Sequence, residues 1–219
     1  MADARLHLLH LSSPALPIGA YAYSQGLEYA IEAGWVEGSA LRDWLADGLQ
    51  LGLAGLEVPV LLRALAAAGA GDTAALASWN DLILANRETR ELLLEDQQIG
   101  AALWRLLRAL LPPPLPELGQ APAYAIAFAW ACHGWRISAE DACAAFCYSW
   151  LENQVTAATK LVPLGQTAAQ TLLLELLDAV PAAVATARSI EDKDIGVSLP
   201  GLALASCRHE FQHTRLFRS

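Results

Sequence analysis

Apolar residues recur along this 219-residue chain at helical rather than strand spacing, and the breaks between them fall at glycine and proline. The clearest stripe lies in residues 87–110, where Leu92, Ile99, Leu103, Leu106 and Leu110 follow at steps of seven, four, three and four, opposite a charged face. An earlier stripe, Leu41, Leu45, Leu49 and Leu53, begins behind Ser39, a residue type suited to an N-cap. A shorter helix is predicted over residues 24–33 and stops at Gly34. Gly69-Ala70-Gly71 breaks the chain, and Asp72 or Thr73 is placed to cap the next helix. Ser138-Ala-Glu-Asp141 fits a capping-box variant at the head of a helix through Trp150 and Glu152, and Pro163 and Gly165 close the segment after it. Residues 166–179 are a leucine-rich helix, and residues 201–212 read as the last one, beyond the polar stretch 191–194.

Two segments resist regular structure. Ser12-Ser13-Pro14-Ala15-Leu16-Pro17-Ile18-Gly19 reads as an ordered loop. Pro112-Pro113-Pro114-Leu115-Pro116 ends the long helix and divides the chain into two helical halves without implying two cores. Composition sharpens this picture. With 55% hydrophobic and 17% charged side chains, rich in Ala and Leu and poor in Val, Ile and Thr, the chain favours helix throughout and fills one core. The expected fold is all-α, a single-domain bundle of roughly eight to ten helices over residues 1–219, with a flexible partner-docking tail at about 207–219.

Charge and hydropathy exclude several classes. A formal net charge of -9 repels phosphate backbones, so nucleic acid is not an expected partner. No run of roughly 20 mostly apolar residues is expected to span a membrane; the most apolar, residues 121–132, reads as a buried core helix. Asp3, Arg5 and His7 depart from a secretory signal pattern, which makes the cytoplasm the expected compartment. Cys132, Cys143, Cys147 and Cys207 form no C-x-x-C pair and read as packed thiols rather than a disulfide framework.

The string closest to catalytic chemistry is His209-Glu210-Phe211-Gln212-His213, which matches H-E-x-x-H. On a helix both histidines would face one zinc ion, with the glutamate as base. No third ligand follows it in this sequence, which weighs against a metalloprotease. Cys207, His209 and His213 together would suit nickel, copper or zinc, against the plainer reading of His209 and His213 as contact residues of a terminal helix. Cys143 and Cys147 share a helical face, but no neighbouring His or acid completes a metal set. Neither a nucleophile elbow nor a phosphate-cradling loop is present, so the chain reads as non-enzymatic and without a cofactor.

Four blocks carry a family resemblance: LLHLSSPALPIGAYAYSQGLEYAIE (residues 8–32), SWNDLILANRETRELLLEDQQIG (78–100), YSWLENQVTAATKLVPLGQTAAQ (148–170) and LALASCRHEFQHTRLFRS (202–219). In this order they closely resemble the urease accessory protein family UreF. The resemblance implies an all-helical homodimer that binds a second accessory protein, UreD (also UreH). With it, the protein recruits the nickel-carrying GTPase UreG and delivers nickel to apo-urease. It also implies that Tyr21, after the P-I-G-x segment, and Arg215, of the terminal R-L-F, recruit UreG, and that the terminal segment binds UreD. A direct nickel-binding chaperone using Cys207, His209 and His213 is the alternative. His213 stands where the family commonly has an aromatic or another residue, and that single position creates the protease-like string.

The residues themselves are compatible with a scaffold. Tyr21 and Tyr23 lie between Gly19 and Gly26 as core plugs or protein contacts. Lys160, the only charge in residues 155–171, is either a snorkelling stem or a partner contact. Glu88, Arg90 and Glu91 read as a solvated helix face. In the tail, Phe211, Leu216 and Phe217 are apolar anchors, while Arg208, Arg215 and Arg218 offer forked donors against the single carboxylate Glu210. The expected partner-binding set is Tyr21, Tyr23, Lys160, Arg208, Glu210, Arg215, Leu216 and Phe217.

Overall fold

The computed structural model describes residues 3–112 and 114–219; Met1 and Ala2 of the N-terminal segment and Pro113 of the proline break lie outside them. Its helices are α1 (Ala4–Leu11), α2 (Leu27–Glu32), α3 (Ala40–Asp47), α4 (Glu57–Ala70), α5 (Thr73–Ala85), α6 (Arg90–Leu110), α7 (Tyr124–Gly134), α8 (Ala139–Leu161), α9 (Gln166–Leu177), α10 (Val180–Ser189) and α11 (Pro200–His209). A π turn, Gly48–Leu53, joins α3 to α4 as one helix Ala40–Ala70, and α9 runs on into α10 as Gln166–Ser189. Counted with those two joins, the described residues form nine helices and no strand. The all-α expectation holds.

Several helix starts follow from the expected capping chemistry. Asp72 accepts from the Ala75 amide at 2.9 Å, and Ser138 accepts from the Asp141 amide at 3.1 Å while donating to the Asp141 carboxylate at 2.6 Å. Thr89 accepts from the Leu92 amide, so the long helix opens at Arg90 instead of residue 87. Ser39 makes no side-chain cap, because its backbone is already helical. The last helix is shorter than expected and stops at His209, where turns begin.

The expectation that no segment is long and apolar enough to cross a membrane is corrected. Ala40–Ala70 and Gln166–Ser189 both are, because the π turn links α3 to α4 and only a two-residue turn, 178–179, separates α9 from α10, with Pro181 tolerated in the first turn of α10. Of their apolar windows, 56% of the first is buried against 33% of the second, so the first serves the core and the second leaves an apolar flank.

The core centres on α7, which is apolar on every side and is enclosed by α4 and α6, with α8 across it. Tyr124, Phe128 and Phe146 form an aromatic cluster with centroids 5.2–5.7 Å apart, an edge-to-face and offset arrangement that adds to burial. Gly100 allows the strand of chain entering α7 to lie against α6: a Cβ there would sit 2.0 Å from the Pro122 carbonyl oxygen. Asn80 fixes the same connection, accepting from the Ala123 amide at 2.7 Å and donating to the Ala121 carbonyl at 3.3 Å.

Candidate functional site

Beyond α11 the chain turns back over α2 and the first turns of α6, and buried carboxylates hold it there. Glu28 of α2 accepts from the Leu216 amide at 2.7 Å and from the Phe217 amide at 3.0 Å, and faces His209 Nε2 at 3.0 Å. Glu91 of α6 faces His209 Nδ1 at 2.7 Å and accepts from Arg215 Nη1 at 2.9 Å. Four residues on, Glu95 accepts from the Ser219 hydroxyl at 2.6 Å and from Gln25 Nε2 at 2.7 Å. The main chain is tied as well, with the Arg218 amide donating to Ala22 O at 2.8 Å and the Ser24 amide and hydroxyl both donating to Ser219 O. Charge-assisted hydrogen bonds of this kind, shielded from water, are among the stronger ones a chain makes.

The local backbone serves this seat. Gln25 and Gly26 both have left-handed φ, at 54° and 76°, turning the chain so that α2 starts against α11. At Gly26 the turn needs glycine, because a Cβ would meet the Ser206 amide nitrogen at 2.8 Å. Gln25 tolerates the strain while its amide is tied at both ends, donating to Glu95 and accepting from the Trp150 indole at 2.8 Å. Thr89 and Ser206 hydroxyls pair at 2.7 Å and fasten α11 to the start of α6.

Burial pushes the Glu95 carboxyl up to about 7, although the Ser219 and Gln25 donors and the Arg87 charge pull the other way. Behind it lies a polar interior in which Arg87 bridges Asp96 at 2.8 Å and Glu57 at 2.6 Å. Burial opposes the guanidinium charge there, but the two carboxylates outweigh it and raise the Arg87 pKa further. Asp96 also accepts from the Tyr124 amide at 2.6 Å, which ties this pair to the head of α7.

The expected site residues divide between display and anchorage. Tyr21 is 64% exposed, whereas Tyr23 is buried, its hydroxyl donating to Gln98 at 2.7 Å. Phe217 is buried with Lys160 Nζ 5.3 Å from its ring centroid, a cation–π arrangement that brings two expected contact residues together. Leu216, at 68% exposed, and Phe211, at 81%, stand out from the surface beside Arg208 and Arg215. Glu210 is half-buried at the edge of the same face. Glu91 is not part of a solvated face, contrary to expectation: it is buried between His209 and Arg215, while Glu88 stays exposed and accepts from Ser198.

The residues of the protease-like string are not brought together. α11 ends at His209, so His213 does not follow one helical turn later; His209 is fully buried with both ring nitrogens against glutamates, while Cys207 and His213 are exposed. Among the described residues no group of three or more His, Cys, Asp or Glu side chains is arranged to hold a metal ion. Cys143 and Cys147 are buried, their thiols pushed up by burial to about 11 and about 12, which keeps them protonated and unreactive.

Glu28, Glu91 and Glu95, which build the seat, went unrecognised in the sequence. A signal for Glu95 was present: the apolar stripe of α6 jumps seven residues from Leu92 to Ile99, and the skipped inward positions are Glu95 and Asp96. Buried acids in a core stripe imply partners elsewhere in the fold.

Comparison with known proteins gives a consistent result. The family model described as UreF matches residues 36–177. The chain is 53% identical to the urease accessory protein UreF of Chromohalobacter salexigens over 214 residues, covering 97% of this chain and 93% of that one. It is 49% identical to the protein of that name from Teredinibacter turnerae over the full length of both. With the one from Hahella chejuensis it shares 47% identity over 99% of this chain and 98% of that one.

Proposed function

The chain belongs to the UreF family of urease accessory proteins, and on that premise we propose that it is a non-enzymatic scaffold of urease maturation. With UreD (UreH) it recruits the GTPase UreG and gates GTP-dependent nickel insertion into apo-urease. It works in the cytoplasm as a homodimer, with GTP hydrolysis belonging to UreG and nickel as the cargo of the assembly. Any influence on hydrolysis is exerted by differential binding to states of UreG.

The observation that carries this reading is the convergence of two distant blocks of sequence on one surface. The segment bearing Tyr21 and Tyr23 is bonded through Ala22 O to Arg218, and through Ser24 to Ser219, so exposed Tyr21 is carried by the same seat as exposed Arg215 and Leu216. Aromatic and arginine side chains clustered on a rigid support have the composition of an interface hot spot. The apolar flank of Gln166–Ser189, with Leu174 64% exposed, supplies surplus apolar surface of the kind that oligomers bury.

Co-purification tests the reading. The tagged chain is expected to retain UreD, and to retain UreG only when UreD is also present. Deleting residues 214–219 should leave the helical circular dichroism in place and abolish capture of UreD. Light scattering should report close to twice 23.4 kDa. A chain that captures neither protein in any combination, or a truncated one that still activates urease in nickel-fed cells, would overturn it.

A further inference from the structure

An open groove of about 340 Å3 runs beside the seat, lined among others by Tyr23, Arg90, Glu91, Gln98, Arg215 and Arg218. Its polar groups are unbalanced in favour of donors. Glu91 is spent, one carboxylate oxygen on Arg215 and the other on His209. The Gln98 carbonyl is taken by the Tyr23 hydroxyl, which leaves the Gln98 amide as a donor. Arg90 and Arg218 are exposed and have no ion-pair partner among the described residues, and Glu210 is the one lining carboxylate outside an ion pair. Such a groove is unexpected on a chain whose formal net charge is -9.

Helix energetics do not account for Arg90. It occupies the first position of α6, where the positive end of the helix dipole favours acids and a cation is mildly unfavourable. Arg218 is held outward because its amide is bonded to Ala22 O while its neighbours Phe217 and Ser219 are buried. The two arginines thus approach the groove from different elements, each on a fixed support, with half-exposed Leu94 of the same lining between polar groups. Guanidinium forks on fixed supports select carboxylates by paired hydrogen bonds.

We propose that this groove receives an acidic segment of the GTPase partner, whose Asp or Glu carboxylates pair with Arg90 and Arg218. This rests on the reading above, in which Tyr21 and Arg215 recruit UreG, and adds two specificity-determining residues and the chemistry of the surface they meet. Opposite charges across an interface act most on association rate and selectivity, and their effect falls as salt rises.

The test measures binding of purified UreG to the complex of the full chain with UreD by biolayer interferometry, from 50 to 500 mM NaCl. Wild type should weaken steadily with salt. The double reversal R90E/R218E should raise Kd at least about 30-fold at 50 mM NaCl and flatten the salt dependence. R90K/R218K should stay within about fivefold of wild type, and R42E, outside the groove lining and paired with Glu175 instead, should match it. Circular dichroism should be unchanged, since both arginines are exposed. If R90E/R218E binds as wild type while R215A and Y21A lose UreG, the groove assignment fails and the scaffold reading stands. If R215A and Y21A also bind normally, the recruitment reading fails and takes the groove assignment with it. Equal loss in the lysine and glutamate variants would overturn the charge argument.

Discussion

Replacing Glu28 by Gln changes one oxygen to an amide nitrogen without altering side-chain shape, yet it strikes the centre of the tail's seat. Glu28 Oε1 serves the Leu216 amide, and Oε2 serves both the Phe217 amide and His209 Nε2. Glutamine keeps one acceptor. If its oxygen stays with Leu216, the Phe217 amide confronts an NH2 group; if it flips, the Leu216 amide does, and the charge is lost in either case. Hydrogen bonds to a charged group contribute roughly 1.5–3 kcal/mol each. Either orientation loses one such bond, and the neutral oxygen weakens the other, together roughly 3 kcal/mol. About 3 kcal/mol corresponds to roughly a 150-fold increase in the open population. Hydrogen exchange followed by NMR should therefore show the Leu216 and Phe217 amides exchanging about 100-fold faster in Glu28→Gln, while Ile126, Ala127 and Phe128 of α7 keep their protection. Wild-type exchange at Leu216 and Phe217 would refute the idea that Glu28 holds the tail. Equal acceleration in α7 would refute its independence from the core.

Three further outcomes are expected. The raised carboxyl of Glu95, at about 7 against an ordinary 4.5, means that the folded state binds this proton more tightly than the unfolded chain does. Its stabilising contribution is full below pH 4.5 and is lost as the pH rises through 7, on the order of 3 kcal/mol in all. Thermal unfolding from pH 5 to 8 should show that decline in wild type, and a shallower one in Glu95→Gln. Gly100→Ala should cost about 3 kcal/mol, because its methyl group would collide with the Pro122 carbonyl and adjoining backbone, and a melting temperature within about a degree of wild type would contradict the close approach. In equilibrium dialysis, the His209→Ala, His213→Ala double variant should hold as much nickel as wild type, whereas a micromolar-tight site lost in that variant would favour the metal-carrying alternative.

Helices were legible in the sequence where one face carries a regular apolar signal and a capping residue marks the start. The helix headed by Ser138 is of this kind, whereas the core helix after Pro122, apolar on every side and without a side-chain cap, was legible from its unbroken apolar run. Joins between helices were not legible: Gly48 lies under the Trp150 ring, where a Cβ would come within 2.6 Å, and the π turn there follows from packing against α8. The seat was legible only in half. Its outer residues, Tyr21, Arg215 and Leu216, were singled out as contacts by residue type and by resemblance, and all three are exposed. The role of His209 was not, since Glu28 lies 181 residues away and Glu91 118, and no local pattern encodes such a pairing.

The manner in which Glu28 grips the tail has a consequence for how this surface can change over evolutionary time. It binds the main-chain N–H groups of Leu216 and Phe217, and Ala22 O and Ser24 likewise meet main-chain atoms of Arg218 and Ser219. These bonds are indifferent to the side chains those residues carry. Phe217 and Ser219 point inward, and Arg215, Leu216 and Arg218 point outward. Mutation at Leu216 and Arg218 can therefore retune which partner is met without loosening the grip, leaving those positions free to drift in step with a co-evolving protein while the glutamates beneath stay fixed.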